Sequence, residues 1–233
     1  MYEQGVLFDF HDTLVQLRPS TAARLAAELE LTEAACSQGL HDLEARVGGL
    51  RRQGRWPPER DVWTGVCTLL LDCLGVNGDG AALAAVMSAH YRAPSSYQAY
   101  PDVAEPLAQI HRQGVRLGVL SNTDIDLWAV LDHRGLSSLI DIAVPLLVHS
   151  LEKPQAAAFQ LGLDELGVPA ASAWLVGDSL HQDAAAAQVA GINAVLLDRR
   201  GLHTSAALPP GVTRTPSLDV LPSLLKYHQS SLK

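Results

Sequence analysis

Asp9, the pair Ser121-Asn122, Lys153, and Asp178 with Asp183 each stand at, or shortly after, the end of a short apolar run. Their types fit one kind of chemistry. Asp9 and Asp178 can hold a hard divalent cation, which prefers oxygen ligands and keeps several waters. Ser121 and Lys153 can bind and neutralise phosphate oxygens. A carboxylate beside a cation and a bound phosphate can attack phosphorus and form an aspartyl-phosphate. Taken singly, each residue is ordinary, because an aspartate after a strand caps turns and a lysine in a turn is solvated. The ordered set carries the inference. Lys153 adds an observation of its own: the other lysines are Lys226 and Lys233, near the C-terminus, and all other basic side chains are arginines. A lone lysine just past a strand points to a point-charge role.

The elements that must position these groups can be read from the apolar pattern. Val6 to Phe8 is a short apolar run of the kind found in buried parallel strands, and it delivers Asp9 to its carboxyl end, with His11, Asp12 and Thr13 turning the chain. Residues from about Ser20 to Ala93 are predicted helical. Thr21 to Leu31 is rich in strong helix formers, and Thr32 caps a second helix toward Val47. Gly48 to Pro58 is predicted as a loop. Asp61 to Leu74 and Ala81 to Tyr91 complete a helical insert. From Tyr100 the pattern alternates. Helices are expected at Val103 to Gln113, Asp126 to Arg134, Gln155 to Leu166 and Gln182 to Ala190, stopped by Gly114, Gly135, Gly167 and Gly191. Strands are expected at Val115 to Leu120, Ile140 to Val148, Ala173 to Val176 and Asn193 to Leu197, the last of them ending at Asp198. This alternation predicts an α/β fold, a doubly wound parallel sheet whose strand ends open on one side.

Composition narrows the function classes. The 233 residues are 48% hydrophobic with a formal net charge of −8, so a nucleic-acid partner, which calls for a basic face, is not expected. No apolar run approaches the roughly 18 residues of a membrane span, and no basic segment precedes the first strand, so neither membrane nor signal peptide is expected. Cys36, Cys67 and Cys73 lack CxxC spacing and read as free thiols of a cytoplasmic protein. The nine histidines show no HExxH spacing, and there is no GxSxG elbow. Arg46, Arg51, Arg52, Arg55 and Arg60 surround the loop before the third helix, which is either a solvated loop or one that contacts an anion.

With these residues in hand, the chain resembles the haloacid dehalogenase-like hydrolase superfamily. Asp9-Phe10-His11-Asp12-Thr13-Leu14 matches the first motif, D-x-D-x-T-L, except at His11. Val119-Leu120-Ser121-Asn122 matches the second, Lys153-Pro154 the third, and Gly177-Asp178-Ser179-Leu180-His181-Gln182-Asp183 the fourth, G-D-S-x-x-x-D. The resemblance implies a Rossmann-like core over residues 1–17 and 96–233 with an inserted α-helical cap over 18–95, where substrate choice would sit. It implies Asp9 as nucleophile and Mg2+ ligand, the backbone carbonyl of His11 as a second ligand, and Asp178 as the acidic ligand. Asp183 would support the metal or Lys153. Ser121, Asn122 and Lys153 would hold the transferring phosphoryl group of a small-molecule phosphate ester.

His11 replaces the aspartate that serves the family as general acid/base. An imidazole has an ordinary pKa near 6.5, suited to giving and taking a proton, and neighbouring carboxylates and phosphate are expected to raise it. Alternatively the replacement marks a slow enzyme, or a non-catalytic module that keeps the fold and binds a ligand. Dehalogenation is disfavoured by the intact Gly177-Asp178-Ser179 and Asp183, and phosphonate cleavage by the absence of lysine from residues 18–95. A phosphomutase is a further alternative. Neither the particular ester nor the oligomeric state is set by these motifs.

Overall fold

The structure is a computed structural model that describes residues 4–53, 62–204 and 207–231. It divides into two compact units, Met1–Gln16 with Tyr97–Lys233, and Leu17–Ser96. The chain opens with β1 (Gly5–Phe8) and β2 (Val15–Leu17). Four helices follow: α1 (Thr21–Leu29), α2 (Glu33–Arg52), α3 (Val62–Leu74) and α4 (Gly80–Arg92). After β3 (Tyr97–Ala99) the elements alternate: α5 (Ala104–Arg112), β4 (Arg116–Ser121), α6 (Leu127–His133), β5 (Ile142–Pro145), α7 (Ala156–Leu166), β6 (Ala173–Gly177), α8 (Ala186–Val189) and β7 (Asn193–Leu197). β8 (Thr213–Thr215) and α9 (Leu221–Ser231) close the described chain.

Six strands form one sheet in the order β5-β4-β1-β6-β7-β8, and β2 pairs with β3 in a second, two-stranded sheet. Neighbours in the large sheet are parallel. The chain winds outward from β1 through β4 to β5, then crosses back to β6, β7 and β8. The direction of winding therefore reverses around β1, which is where open α/β sheets bind ligands, beyond the carboxyl ends of the strands. Phe8 is level with Val119 and with Val176. Asp9 thus leaves the sheet level with Leu120 and Gly177, and Ser121 and Asp178 stand one residue beyond.

The apolar runs explain why these segments are strands. Val6, Leu7 and Phe8 are fully buried, as are Leu117, Val119, Leu120, Leu175 and Val176, so the central strands are covered on both faces and show no polar alternation. On one face Leu7, Leu120, Leu175 and Leu196 share a core with Phe159, Leu163 and Leu166 of α7 and with Ala184 and Ala187. On the other, α5 packs against β4 and α9, burying Leu107, Ile110 and Leu221. The helices stop as the glycines predict: Gly167 takes φ +69° at the end of α7, a left-handed conformation that costs glycine little.

The second unit has its own core. Leu25, Cys36, Leu43, Cys67, Leu70, Leu71, Leu83 and Met87 meet between its four helices. Three helix starts are capped by side-chain oxygens. Ser20 accepts from the Ala23 N–H at 3.1 Å, Thr32 from Ala35 at 3.2 Å and Asp79 from Ala81 at 2.8 Å. The three cysteines are free thiols. No helix among the described residues is long and apolar enough to cross a membrane.

Several boundaries differ from expectation. α2 continues through Gly48 and Gly49 to Arg52. Each helical glycine costs about 1 kcal/mol relative to alanine, which the packing of Leu40, Leu43 and Val47 into the helical core outweighs. Arg51 and Arg52 therefore stand in α2 rather than in a loop. Arg55 and Arg60 lie outside the described residues, and Arg46 makes a half-exposed ion pair with Asp72 at 3.5 Å. The strand expected to reach Val148 ends at Pro145, and a 3-10 turn follows at Leu146–His149. Proline has no N–H for a ladder, and its place here is the end of an edge strand. The helix expected from Gln182 begins instead with a π-helical turn over Leu180–Ala185. Asn193–Leu197 is not the last strand, because the polar Thr213–Thr215 adds β8 at the edge.

Candidate active site

The site is assembled at the reversal point of the sheet. Asp9 is the first residue past β1, and its N–H still donates to the Val176 carbonyl at 2.8 Å, so the strand pairing fixes its backbone. Lys153 is 2% exposed. Its Nζ donates to Asp9 Oδ1 at 2.7 Å and to Asp183 Oδ1 at 2.6 Å. Burial acts to lower the lysine pKa, but the Asp9 and Asp183 carboxylates outweigh it and hold the ammonium charged, above the ordinary lysine range. Burial pushes the Asp183 carboxyl up, against the pull of Lys153.

The π-helical turn and a glycine place Asp183. Ser179 caps the turn by accepting the Gln182 N–H at 3.1 Å, and its own N–H donates to Asp183 Oδ2 at 3.1 Å. A Cβ on Gly177 would come within 2.4 Å of the Asp183 carboxyl group. The aspartate therefore reaches Lys153 only because β6 ends in a residue without a side chain. π turns of this kind recur where a side chain must be re-aimed at a functional site.

Asp178 is half-buried. Its carboxyl is pushed up to about 7, first by burial and then by the like charges of Asp9, Asp183 and Asp12. Carboxylate oxygens of Asp9, Asp178 and Asp183 all lie within 4.8 Å of one another. One ammonium faces three carboxylates there, so negative charge is left uncompensated. A hard divalent cation with oxygen ligands fits that donor set and would relieve the repulsion that raises Asp178.

Asn122 accepts the Lys153 N–H through its side-chain oxygen at 2.7 Å, and its nitrogen donates to the Lys153 carbonyl at 3.0 Å and to Gln182 Oε1 at 3.3 Å. The carboxamide is thus engaged by the Lys153 backbone and by Gln182. Ser121 is the last residue of β4 and is buried, level with the crevice.

His11 sits among aromatic rings. Its Nε2 lies 3.3 Å from the Tyr97 hydroxyl, and its ring centroid is 5.3 Å from that of Phe10 and 5.5 Å from that of Tyr97. Burial of the ring lowers its pKa below 6.5, against the pull of Asp9 and Asp12. This corrects the expectation that neighbouring carboxylates raise it: desolvation wins over Coulomb attraction. Tyr97, fully buried, is a residue that sequence reasoning missed. It carries no motif signal and lies 86 positions from His11 in the chain. Gln182 was missed because it fills an unspecified position of the fourth motif and meets Asn122 from 60 positions away in the chain.

The chain is similar to known proteins over most of its length. The family model described as haloacid dehalogenase-like hydrolase matches residues 3–191. The chain is similar to haloacid dehalogenase-like hydrolase domain-containing protein 3 of Danio rerio, 27% identical over 235 residues, with 96% of each chain covered. It is similar to a phosphoglycolate phosphatase of Pseudomonas savastanoi, 29% identical, covering 82% of this chain and 68% of the relative. Among solved structures it resembles in fold the magnesium-bound HAD-hydrolase YfnB of Bacillus subtilis (TM-score 0.79, 18% identity, 97% and 100% covered). It also resembles in fold an L-2-haloacid dehalogenase of Xanthobacter autotrophicus (TM-score 0.73, 21% identity, 97% and 99% covered).

Two predictions follow from the charges. Lys153→Met removes the partner of two buried carboxylates, and breaking such a cluster costs about 3–5 kcal/mol. Denaturant unfolding at pH 7 should show that loss. The deficit should shrink as pH falls, because burial favours the protonated Asp183 carboxyl; a deficit independent of pH would contradict the ion cluster. The second concerns Asp178. Its folded pKa of about 7 exceeds the unfolded value of about 3.9. The folded state therefore holds a proton that the unfolded state releases, and stability from this group falls as pH rises from about 4 through 7. A cation binding the ionised carboxylates offsets that loss. The rise in melting temperature on adding magnesium should accordingly be larger at pH 8 than at pH 5.5. No rise at pH 8 would reject the cation site.

Proposed function

The chain belongs to the haloacid dehalogenase-like hydrolases, and on that premise we propose that it is a magnesium-dependent phosphatase of a small phosphate monoester, acting through an aspartyl-phosphate on Asp9. One observation carries the reading: the Asp9 carboxylate, 2.7 Å from the Lys153 ammonium, is gathered with Asp178 and Asp183 at the carboxyl ends of β1 and β6. A relative named as a phosphoglycolate phosphatase, which covers 82% of this chain, supports it.

The roles follow from charge and place. The Lys153 ammonium pairs with Asp9 Oδ1 at 2.7 Å, and the Asp9 carboxylate is the nucleophile of this route. Ser121 and Lys153 receive the phosphate oxygens. An Asp9 oxygen bonds to phosphorus as the ester P–O bond breaks, and the departing oxygen takes a proton. Water then attacks phosphorus, the acyl-phosphate bond breaks, and inorganic phosphate and free Asp9 result. On this reading His11 gives the first proton and takes the second. Asp9, Asp178, Asp183 and the His11 carbonyl would hold the magnesium ion, which supplies positive charge against the phosphoryl oxygens when bound.

A second reading is favoured by His11 standing where the family keeps an acidic acid/base: a catalytically weak module that binds a phosphorylated ligand. Carbon–halogen cleavage is a poorer fit, since the resemblance assigns that reaction no metal and leaves Asp178 without a task. Magnesium-dependent turnover in a screen of phosphate monoesters separates the first two readings. Asp9→Asn should fall to background while remaining folded; retained turnover would sink the covalent route. His11→Ala should lose about 10²–10⁴-fold on an alkyl phosphate and much less on a nitrophenyl phosphate, whose leaving group needs no proton. Equal rates for wild type and His11→Ala on both esters would leave His11 only its backbone carbonyl.

A further inference from the structure

The turn that follows Asp9 is held by groups distant in sequence. Asp12 takes φ +55°, a left-handed conformation that side-chain-bearing residues seldom adopt and that persists only where the surroundings enforce it. Within the turn the Asp12 N–H donates to the Val15 carbonyl at 2.8 Å and the Leu14 N–H to the Phe10 carbonyl at 2.9 Å. From outside, Arg199, two residues past β7, reaches it. Arg199 Nη2 donates to the Thr13 carbonyl at 2.8 Å. Its Nη1 donates to both Asp102 oxygens, at 2.7 Å each.

Asp102 in turn fixes the guanidinium. It accepts the Ser217 hydroxyl and the Leu218 N–H, both at 2.9 Å. Burial acts to raise its pKa, but bonds from Arg199, Leu218 and Ser217 overcome it and hold the carboxyl below the usual range. Both side chains of the pair are mostly buried, 14% and 11% exposed. The guanidinium carbon also lies 4.1 Å from the centre of the Tyr100 ring, and the Tyr100 hydroxyl donates to Asp12 Oδ1 at 3.2 Å. The strained corner is therefore gripped twice, through the Thr13 carbonyl and through the Asp12 carboxylate, and Arg199 touches both grips.

We propose that Arg199 is a positioning residue for the reaction: by holding the Asp12–Thr13 corner it sets the path of the backbone between Asp9 and Val15, and with it the His11 carbonyl and ring. This rests on the phosphatase reading for its effect on turnover, but not for its effect on the turn. A point charge cannot replace the fork, because one planar group must meet a carbonyl, a carboxylate and a ring face at once.

The test compares Arg199→Gln, Arg199→Lys and Ser217→Ala with wild type. Ser217→Ala loosens Asp102 from the C-terminal side and leaves the Thr13 contact, so it reports a merely structural brace. Amide hydrogen exchange in metal-free protein is read at Asp12 and Leu14. Exchange there should quicken at least about tenfold in Arg199→Gln, less in Arg199→Lys, and not in Ser217→Ala, with Val176 in β6 unchanged. On the best phosphate ester Arg199→Gln should lower kcat by about 10²-fold, the scale of an ångström-level misplacement, with KM little changed. Unchanged exchange at Asp12 and Leu14 overturns the proposal, as does a kcat loss matched by Ser217→Ala. Should wild type turn over no phosphate ester, the phosphatase reading fails, and the exchange comparison by itself upholds or overturns the brace.

Discussion

A charged lysine buried between two aspartates is the constraint on which the rest of the structure depends. Taking an ammonium and two carboxylates out of water costs several kcal/mol per ion, and only close, well-directed pairing offsets it. The Lys153 contacts of 2.7 and 2.6 Å meet that requirement, and the surrounding fold can be understood as what makes them possible. Parallel pairing of β1 with β6 fixes Asp9. A glycine ending β6 and a π-helical turn bring Asp183 in. The Asn122 carboxamide clamps the lysine backbone from the end of β4. The ends of three strands thus converge on one lysine.

The strands were legible because burial on both faces leaves an unbroken apolar run, and their order of appearance made the parallel sheet readable before any coordinates. The helix stops were legible because Gly114, Gly135, Gly167 and Gly191 all take positive φ, which other residues resist. The site residues were legible as types at strand ends. Their partners were not. That Asn122 grips a backbone, or that Tyr97 meets His11 and Arg199 meets Thr13, depends on contacts between residues far apart in the chain. β8 escaped notice because Thr213-Arg214-Thr215 has no apolar signal, and α2 was cut short because glycine is read as a stop unless tertiary packing overrides it.

His11 shows how environment overrides residue type. The reasoning from neighbouring carboxylates was sound in sign, yet burial among Phe10 and Tyr97 is the larger effect. Asp178 shows the same two effects acting in concert: burial and like charges both push it upward, a perturbation of the kind that functional sites concentrate. On the proposed phosphatase reading, an imidazole in place of a carboxylate also leaves one negative charge fewer in the crevice that would admit the phosphate.

The central claim is that Asp9 carries the phosphoryl group. The most direct measurement is acid-quenched mass spectrometry of the protein during turnover of a phosphate ester with magnesium. The account predicts a phosphoryl adduct on the peptide bearing Asp9, labile to hydroxylamine as an acyl phosphate must be, and more abundant when water attack is slowed. Turnover at the full rate with no adduct on that peptide, or with the adduct on another residue, would contradict it.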